Sequence, residues 1–136
     1  MAIIDWFSRY VVAWELSVTL DVGFCLDALE HAFQTAQPDI LNSDQGVQFT
    51  CDEFTKRVMS AKVQISMDGR GRALDNVFTE RLWRSVKYEE VYLKDYGAVP
   101  VARENLGGYF AFYNNERRHE SLGYKTPAEI HFKKTV

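Results

Sequence analysis

The sequence predicts an α/β domain in which a mixed sheet is flanked by helices. Two β-rich runs, 2–7 and 10–16, are separated by Ser8-Arg9, as expected for an antiparallel hairpin with a two-residue turn. Segments with helical periodicity then alternate with short strands, which implies parallel strand pairs as well. We expect one domain over residues 1–136, with 97–136 as a C-terminal helical extension.

The middle of the chain supplies helices and strands in alternation. Residues 20–36 place Val22, Leu26, Leu29 and Phe33 on one helical face, and Pro38 ends this helix. The next predicted elements are a strand at 39–43, a helix that begins at the capping box Thr50-Cys51-Asp52-Glu53, and a strand at 62–67.

The rest of the chain is predicted to be helical. After a glycine-containing loop at 67–74, a long helix runs from about Asp75 to Glu90. Another helix is predicted at 99–113. A last helix begins at the capping box Thr126-Pro127-Ala128-Glu129, where proline occupies the favoured first helical position.

Two acidic residues are candidate metal ligands. Asp44 directly follows the strand at 39–43, and Glu80 lies in the long helix, with 35 residues between the two. Ligands of open α/β sheets gather beyond the carboxyl ends of strands, so we expect these carboxylates to meet at the sheet rim. Carboxylate oxygens suit Mg²⁺ or Mn²⁺, which support phosphoryl transfer.

Four cations are candidate phosphate contacts near Glu80. Arg84 and Lys87 share its helical face, opposite an apolar stripe that faces the sheet, and Arg70 and Arg72 lie in the preceding glycine-containing loop. The alternative is an ordinary solvated surface on which Glu80 and Arg84 form an i,i+4 ion pair.

Composition leaves nucleic-acid binding open and argues against several other classes. The apolar stretches are far shorter than the roughly 18 residues of a membrane span, and no signal peptide is evident. Cys25 and Cys51 are isolated, so we expect free thiols in a reducing cytosol, and the three histidines are too scattered for a zinc site. The net charge of −3 divides into −8 over residues 1–55 and +5 over 56–136, compatible with a local phosphate-binding face.

Several ordered segments resemble the DDE transposases and retroviral integrases, and more closely the bacterial insertion-sequence transposases that carry the integrase catalytic core. These segments are Ile4-Asp5-Trp6-Phe7-Ser8-Arg9, Ser43-Asp44-Gln45-Gly46-Val47-Gln48-Phe49-Thr50, Asp75-Asn76-Val77-Phe78-Thr79-Glu80, Arg81-Leu82-Trp83-Arg84-Ser85-Val86-Lys87-Tyr88-Glu89-Glu90, Tyr113-Asn114-Asn115-Glu116-Arg117-Arg118-His119 and Ser121-Leu122-Gly123-Tyr124-Lys125-Thr126-Pro127.

The resemblance implies an RNase H-like fold and a two-metal site of Asp, Asp and Glu that cuts a DNA strand at a transposon end and joins it to target DNA. Asp44 matches the second acidic ligand and Glu80 the third, while Arg84 and Lys87 match positions that face DNA. The segment Arg117-Arg118-His119 would provide C-terminal packing and DNA contacts. A bacterial cytoplasmic location and transposon-end and target DNA as partners are implied as well.

The resemblance departs at the start of the chain. The family's first catalytic Asp lies on a strand that would precede Ile4, and Asp5 matches a second-strand Asp that is not a metal ligand. We therefore expect the first central strand to be missing, metal to bind weakly and strand transfer to be impaired. The unpaired sheet edge predicts either that the hairpin pairs with the strand at 39–43 or that a second copy fills the gap in a homo-oligomer.

Two other functions remain open at this point. One is a non-catalytic DNA-binding or dimerising remnant of a transposase, which would bind duplex phosphates with strong salt dependence. The other is an RNase H-like nuclease that acts by hydrolysis alone. Whether Met1 is a natural start stays open too.

Overall fold

A computed structural model describes residues 1–17, 22–43, 49, 51–67 and 77–133. The strands are β1 (Ala2–Ile4), β2 (Val11–Trp14), β3 (Ile40–Ser43) and β4 (Gln64–Met67). The helices are α1 (Gly23–Thr35), α2 (Asp52–Ser60), α3 (Val77–Glu89), α4 (Val99–Asn115) and α5 (Pro127–Lys133), with 3₁₀ turns at Val91–Leu93 and Glu120–Leu122. The predicted order of strands and helices is therefore confirmed for the described residues.

The chain divides into two compact units, each with its own buried residues. The first unit comprises Met1–Ile3 and Val12–Val77, and the second comprises Ile4–Val11 and Phe78–Val136. Because α3 lies almost wholly in the second unit, that unit carries the predicted Glu80 face.

The hairpin between β1 and β2 has a longer turn than its sequence suggests. The N–H of Asp5 donates to the carbonyl of Tyr10 at 2.9 Å, so four residues separate the paired positions. The Asp5 carboxylate accepts the N–H groups of Phe7 at 2.8 Å and Ser8 at 3.4 Å, and Arg9 takes a φ of 65°. The predicted two-residue turn is wrong because the Asp5 side chain stabilises a wider one.

The described strands form two separate two-stranded sheets. β1 pairs with β2, and the bonds that join Met1 to Glu15 and Asp5 to Tyr10 make this pair antiparallel. β3 pairs with β4 in parallel, from Ile40 opposite Gln64 to Ser43 opposite Met67, with α2 in the connection. The prediction that the hairpin pairs with the strand at 39–43 is wrong for the described residues, in which β1 and β2 pair with each other and β3 pairs with β4. Pairing with a second copy stays a prediction.

The core of the first unit joins α1, α2 and the end of the connection to β4. Cys25 and Leu29 on α1 lie against Phe54 and Val58 on α2 and against Val63, all almost fully buried. Burial of a side chain such as Leu29 or Phe54 contributes about 1.5–3 kcal/mol. Of the predicted face, Leu29 is fully buried, whereas Val22, Leu26 and Phe33 are only partly buried, because the buried stripe of α1 also includes Cys25 and two alanines.

The two predicted capping boxes have different outcomes. At α5, the hydroxyl of buried Thr126 accepts the N–H of Glu129 at 3.3 Å and Pro127 opens the helix, as predicted. At α2, the N-cap is Cys51 and makes no side-chain capping bond, one residue later than the predicted Thr50, which lies outside the described residues.

The second unit buries one face of α3 and the end of α4. Leu82 and Val86 of α3 are buried, as the apolar stripe predicts, and Tyr109, Phe110 and Tyr113 are buried on α4. The exposed side of α3 is therefore the side that carries Glu80.

Asn114 anchors the hairpin inside the second unit. Its side-chain oxygen accepts the N–H of Val11 at 2.8 Å, and its amide nitrogen donates to the Val11 carbonyl at 3.0 Å. Both residues are buried, so the Asn114 amide satisfies two backbone groups that would otherwise lack partners away from water.

Asn114→Ala is expected to destabilise the chain by about 2–4 kcal/mol, because it leaves both polar groups of Val11 buried without partners. Urea unfolding followed by circular dichroism measures the loss. Asn115→Ala is the matched control, because Asn115 is exposed and, among the described residues, its side chain donates to the carbonyl of Ala111 within its own helix. Equal stability of the two variants would contradict the anchoring role.

Candidate functional site

The exposed face of α3 gathers one carboxylate and two cations. Glu80 lies in the first turn and Lys87 in the last, with Arg84 between them. At 100° per residue these three side chains fall within about 60° of one another on the helix. All three are exposed, as predicted. Each end of the helix also has the charge that its dipole favours.

Glu80 and Arg84 do not form the i,i+4 ion pair that an ordinary salt-bridged surface would have. The Arg84 guanidinium lies 5.6 Å from the centroid of the Tyr88 ring instead. Within the described part of the chain, no hydrogen bond or ion pair involves the Glu80 carboxylate. This carboxylate is therefore a solvent-accessible hard oxygen donor, which is the chemistry that Mg²⁺ and Mn²⁺ prefer.

The other predicted site residues lie outside the described residues. Asp44, Arg70 and Arg72 are among them, so the convergence of Asp44 with Glu80 stays a prediction. Among the residues that are described, no three His, Cys, Asp or Glu side chains are placed to hold a metal together. Of the two predicted metal ligands, Glu80 is the one that lies among the described residues.

Asp5 has a structural task. One carboxylate oxygen accepts two turn N–H groups, and the other lies 3.3 Å from Nδ1 of His131. The same Nδ1 lies 3.1 Å from the hydroxyl oxygen of buried Ser8. These contacts use both oxygens of Asp5 to join the hairpin turn to α5.

The beginning of α3 is held by aromatic and cationic contacts with the hairpin turn. The Arg9 guanidinium lies 3.8 Å from the centroid of the Phe78 ring, and the Trp6 ring lies 5.7 Å from it. A guanidinium over an aromatic face is favourable by about 0.5–2 kcal/mol. Because Phe78 precedes Glu80 by two residues, these contacts restrain the backbone that carries the carboxylate.

The end of α3 is held by a charged network. Arg117 bonds Glu89 through Nε at 2.9 Å and through Nη2 at 2.7 Å, and the Tyr109 hydroxyl donates to the same carboxylate at 2.9 Å. The Arg117 guanidinium lowers the pKa of Glu89, and burial raises that of Tyr109. Arg117 was predicted to serve packing and DNA contacts, and the structure shows the packing. The pairing with Glu89 was missed because 28 residues separate the two.

His119 belongs to this network as a neutral ring. Its Nε2 lies 3.3 Å from Nη1 of Arg117, and its ring packs edge-to-face with the Tyr113 ring, with the two centroids 5.0 Å apart. Burial, followed by the nearby charges of Arg117 and Arg9, lowers the pKa of His119 to about 4. A neutral His119 adds no positive charge to the surface at pH 7.

Cys25 and Cys51 form no disulfide with each other, as expected from their isolation in the sequence, and burial raises the pKa of Cys25. Over the described residues, no helix combines the length and the apolar character that crossing a membrane requires.

Sequence comparisons place the chain among integrase cores. Two family profiles, both described as integrase core domain, match residues 1–73 and 61–127. The transposase for insertion sequence element IS629 of Shigella sonnei is 31% identical over 93% of this chain and 44% of its own length. The transposase for IS904 of Lactococcus lactis subsp. lactis is 28% identical over 93% of this chain and 52% of its own. The chain thus spans about half the length of these curated relatives.

Solved structures confirm the fold. The HTLV-2 integrase catalytic core domain, in a complex with magnesium and a dimeric form, has a TM-score of 0.72 and 21% identity over 94% of this chain and 80% of its own. The BIV integrase catalytic core domain has a TM-score of 0.75 and 18% identity over 98% of this chain and 85% of its own. The predicted RNase H-like architecture of integrase cores is therefore confirmed.

His119→Gln is expected to make stability less sensitive to acid. The folded chain holds His119 neutral down to about pH 4, whereas the unfolded chain protonates it near pH 6.5. The unfolded state therefore binds more protons between these values, and wild-type stability falls as pH decreases from 6.5 toward 4. With allowance for partial solvent screening, the variant should lose about 1 kcal/mol less than wild type across this window.

Urea unfolding at pH 7, 6, 5 and 4 measures this difference, and carboxylate titrations common to both proteins cancel in it. Parallel pH profiles for His119→Gln and wild type would contradict the neutral, buried state of His119.

Proposed function

We propose that this chain, which belongs to the integrase core domain family, is the catalytic core of an insertion-sequence transposase that cleaves and joins DNA strands with a divalent metal. The exposed Glu80 carboxylate carries this proposal. It makes no ion pair with any described residue, and it shares a helical face with Arg84 and Lys87. The alternative, an ordinary salt-bridged face, would pair Glu80 with Arg84.

Asp44 and Glu80 would hold Mg²⁺ or Mn²⁺ through hard carboxylate oxygens. Such a metal, when bound, polarises a phosphodiester and activates the attacking oxygen. Arg84 and Lys87 would bind the phosphates that flank the reacting one, about one and two helical turns from Glu80. Phe78 and Glu89, anchored at the two ends of α3, hold this face in a fixed orientation, which positioning for phosphoryl transfer requires.

The 136-residue chain by itself should be a weak catalyst. The resemblance implies three acidic ligands, and this chain has matching residues for two of them. Two carboxylates leave a pair of divalent cations underneutralised, so we infer weak metal binding and little strand transfer by this polypeptide alone.

Mn²⁺ binding tests the proposed ligands without a need for catalysis. Electron paramagnetic resonance of free Mn²⁺ should show a weak site in the wild-type chain. Glu80→Gln and Asp44→Asn should each lower its affinity at least about tenfold, because each removes an anionic oxygen ligand. Glu116→Gln, at an exposed position that follows α4, is the matched control and should bind like wild type. Wild-type affinity in Glu80→Gln would overturn the metal assignment.

A second candidate function is DNA binding without catalysis. This function is supported by a difference between cations in the described residues, since some are paired with acids and others are not. Arg57, Lys94 and Arg117 are each held by a glutamate, whereas no ion pair there involves Arg84 or Lys87. Unpaired cations on one helix face can bind DNA phosphates whether or not a metal is present.

Arg84→Ala/Lys87→Ala should lower the salt dependence of duplex DNA binding. Each lost phosphate contact reduces the slope of log affinity against log salt by about 0.9, so the double variant should lose about 1.8. Fluorescence anisotropy of a labelled duplex, measured from about 50 to about 200 mM salt, gives this slope.

Lys56→Ala/Lys62→Ala is the matched control, because it removes two exposed charges from the segment around α2 and should leave the slope unchanged. Equal slopes for the two double variants would exclude the α3 face as the DNA-binding surface. Binding that survives Glu80→Gln would separate this function from catalysis.

A further inference from the structure

We propose that the exposed stripe formed by Glu80, Arg84, Tyr88 and Tyr92 is a track for the unpaired nucleotides at the end of a DNA strand. The inference rests on the proposed function, because it assigns a substrate form to the same face of α3. The charges alone do not distinguish an unpaired strand end from a duplex, since cations bind paired and unpaired DNA alike. The two tyrosines of the stripe provide that distinction.

The stripe follows from regular i,i+4 spacing. Glu80, Arg84 and Tyr88 succeed one another by four residues on α3, and Tyr92 follows by four more in the 3₁₀ turn Val91–Leu93. At 1.5 Å per residue, Glu80 and Tyr88 are about 12 Å apart along the helix axis. That length corresponds to about three nucleotides at 3.4 Å per nucleotide of a stacked strand.

Two tyrosines on this stripe are unusually open to solvent. The side chains of Tyr88 and Tyr92 are 62% and 63% exposed, although aromatic rings usually contribute to a core. Their ring centroids are 5.3 Å apart at an interplanar angle of 89°. In an edge-to-face pair one ring covers one face of the other, and the Arg84 guanidinium lies over Tyr88. The aromatic faces that remain are surfaces on which an unpaired base can stack.

The charges near the tyrosines favour a polyanion. The Arg84 guanidinium approaches Tyr88, and Lys87 is exposed beside it. The two acids that directly follow Tyr88 in the sequence are already neutralised, whereas the exposed Glu104 of α4 lines the groove beside Tyr88. Glu89 is paired with Arg117, and buried Glu90 lies 3.0 Å from Lys94 and accepts the Tyr96 hydroxyl at 2.6 Å. Among the described residues of the stripe, the unneutralised acid is thus Glu80, at the end where the metal would bind.

A fully paired duplex would leave the tyrosines unused. Bases inside a duplex expose their edges to the grooves and their faces to one another, so an aromatic side chain on the surface has no base face to contact. An unpaired strand end exposes those faces, while its phosphates still reach Arg84 and Lys87. The stripe therefore matches a strand end that is frayed or extended beyond the duplex.

The competing occupant of this surface is a second copy of the chain. Leu93 is 74% exposed next to Tyr92, and Phe112 of α4 lines the same shallow groove between the ends of α3 and α4. Arg and Tyr are common at the centres of protein interfaces, but Glu and Lys are depleted there. Glu80 and Lys87 lie on the same exposed face of α3, and this favours nucleic acid over a second copy. The oligomeric state is therefore measured beside DNA binding.

The test uses fluorescence anisotropy with a labelled blunt duplex and the same duplex carrying a three-nucleotide extension at either its 3′ or its 5′ end. The wild-type chain should bind one of the extended duplexes about tenfold more tightly than the blunt one. Tyr88→Ala/Tyr92→Ala should abolish this preference and leave blunt-duplex affinity within about twofold, because Arg84 and Lys87 remain. Tyr88→Phe/Tyr92→Phe should keep the preference, since stacking needs the rings and not the hydroxyls.

Tyr124→Ala is the matched control. Tyr124 is 64% exposed, like the two tyrosines of the stripe, but it follows the 3₁₀ turn Glu120–Leu122 and not α3. Its variant should keep the wild-type preference. A fluorescent base analogue, 2-aminopurine, placed in the extension provides a readout on the wild-type chain, and its emission should be quenched when it stacks on a tyrosine.

Several results would overturn the inference. One is a preference for an extended duplex that persists in Tyr88→Ala/Tyr92→Ala. Another is 2-aminopurine emission that does not change when the wild-type chain binds. A third is a sedimentation coefficient that falls in Tyr88→Ala/Tyr92→Ala while the preference for the extended duplex persists. Equal wild-type affinity for blunt and extended duplexes, still dependent on Arg84 and Lys87, would overturn the track alone and leave the proposed function intact. Absence of binding to every duplex would remove both.

Discussion

The fork between Arg117 and Glu89 is the contact on which the arrangement of the α3 face depends. It holds the last turn of α3 to the segment that follows α4, and the Tyr109 hydroxyl adds a third bond to the same carboxylate. A bidentate guanidinium–carboxylate pair fixes orientation as well as distance. With Phe78 held between Arg9 and Trp6 at the other end, α3 is restrained at both of its termini.

This restraint divides the charged residues of the second unit into two groups. Glu89, Glu90, Lys94 and Arg117 neutralise one another within the fold, and His119 is kept neutral by burial among arginines. Glu80, Arg84 and Lys87 remain on the exposed face without ion pairs among the described residues. The charges that hold the helix are thus separate from the charges available to a ligand, so the face does not have to break internal bonds in order to bind.

The segment Tyr113-Asn114-Asn115-Glu116-Arg117-Arg118-His119 illustrates how a motif associated with a DNA enzyme can have a structural role. Asn114 completes the hydrogen bonds of Val11, Arg117 holds Glu89, and the rings of Tyr113 and His119 pack together. A polar residue that satisfies buried backbone or an internal carboxylate is costly to replace. In the described residues, this segment therefore supports the site through α3 and the hairpin.

Local pattern determined much of this protein, because helical periodicity, strand alternation and the Thr126 capping box depend on residues close in sequence. The same periodicity placed Glu80, Arg84 and Lys87 together on the exposed side of α3, and it also spaces Tyr88 and Tyr92. Tertiary structure decided the rest. The Asp5 carboxylate sets the width of the hairpin turn, and β3 pairs with β4. The Arg117–Glu89 and Asn114–Val11 contacts join residues that are 28 and 103 positions apart in the sequence. Such partners are chosen by packing in three dimensions, for which one sequence carries no local signal.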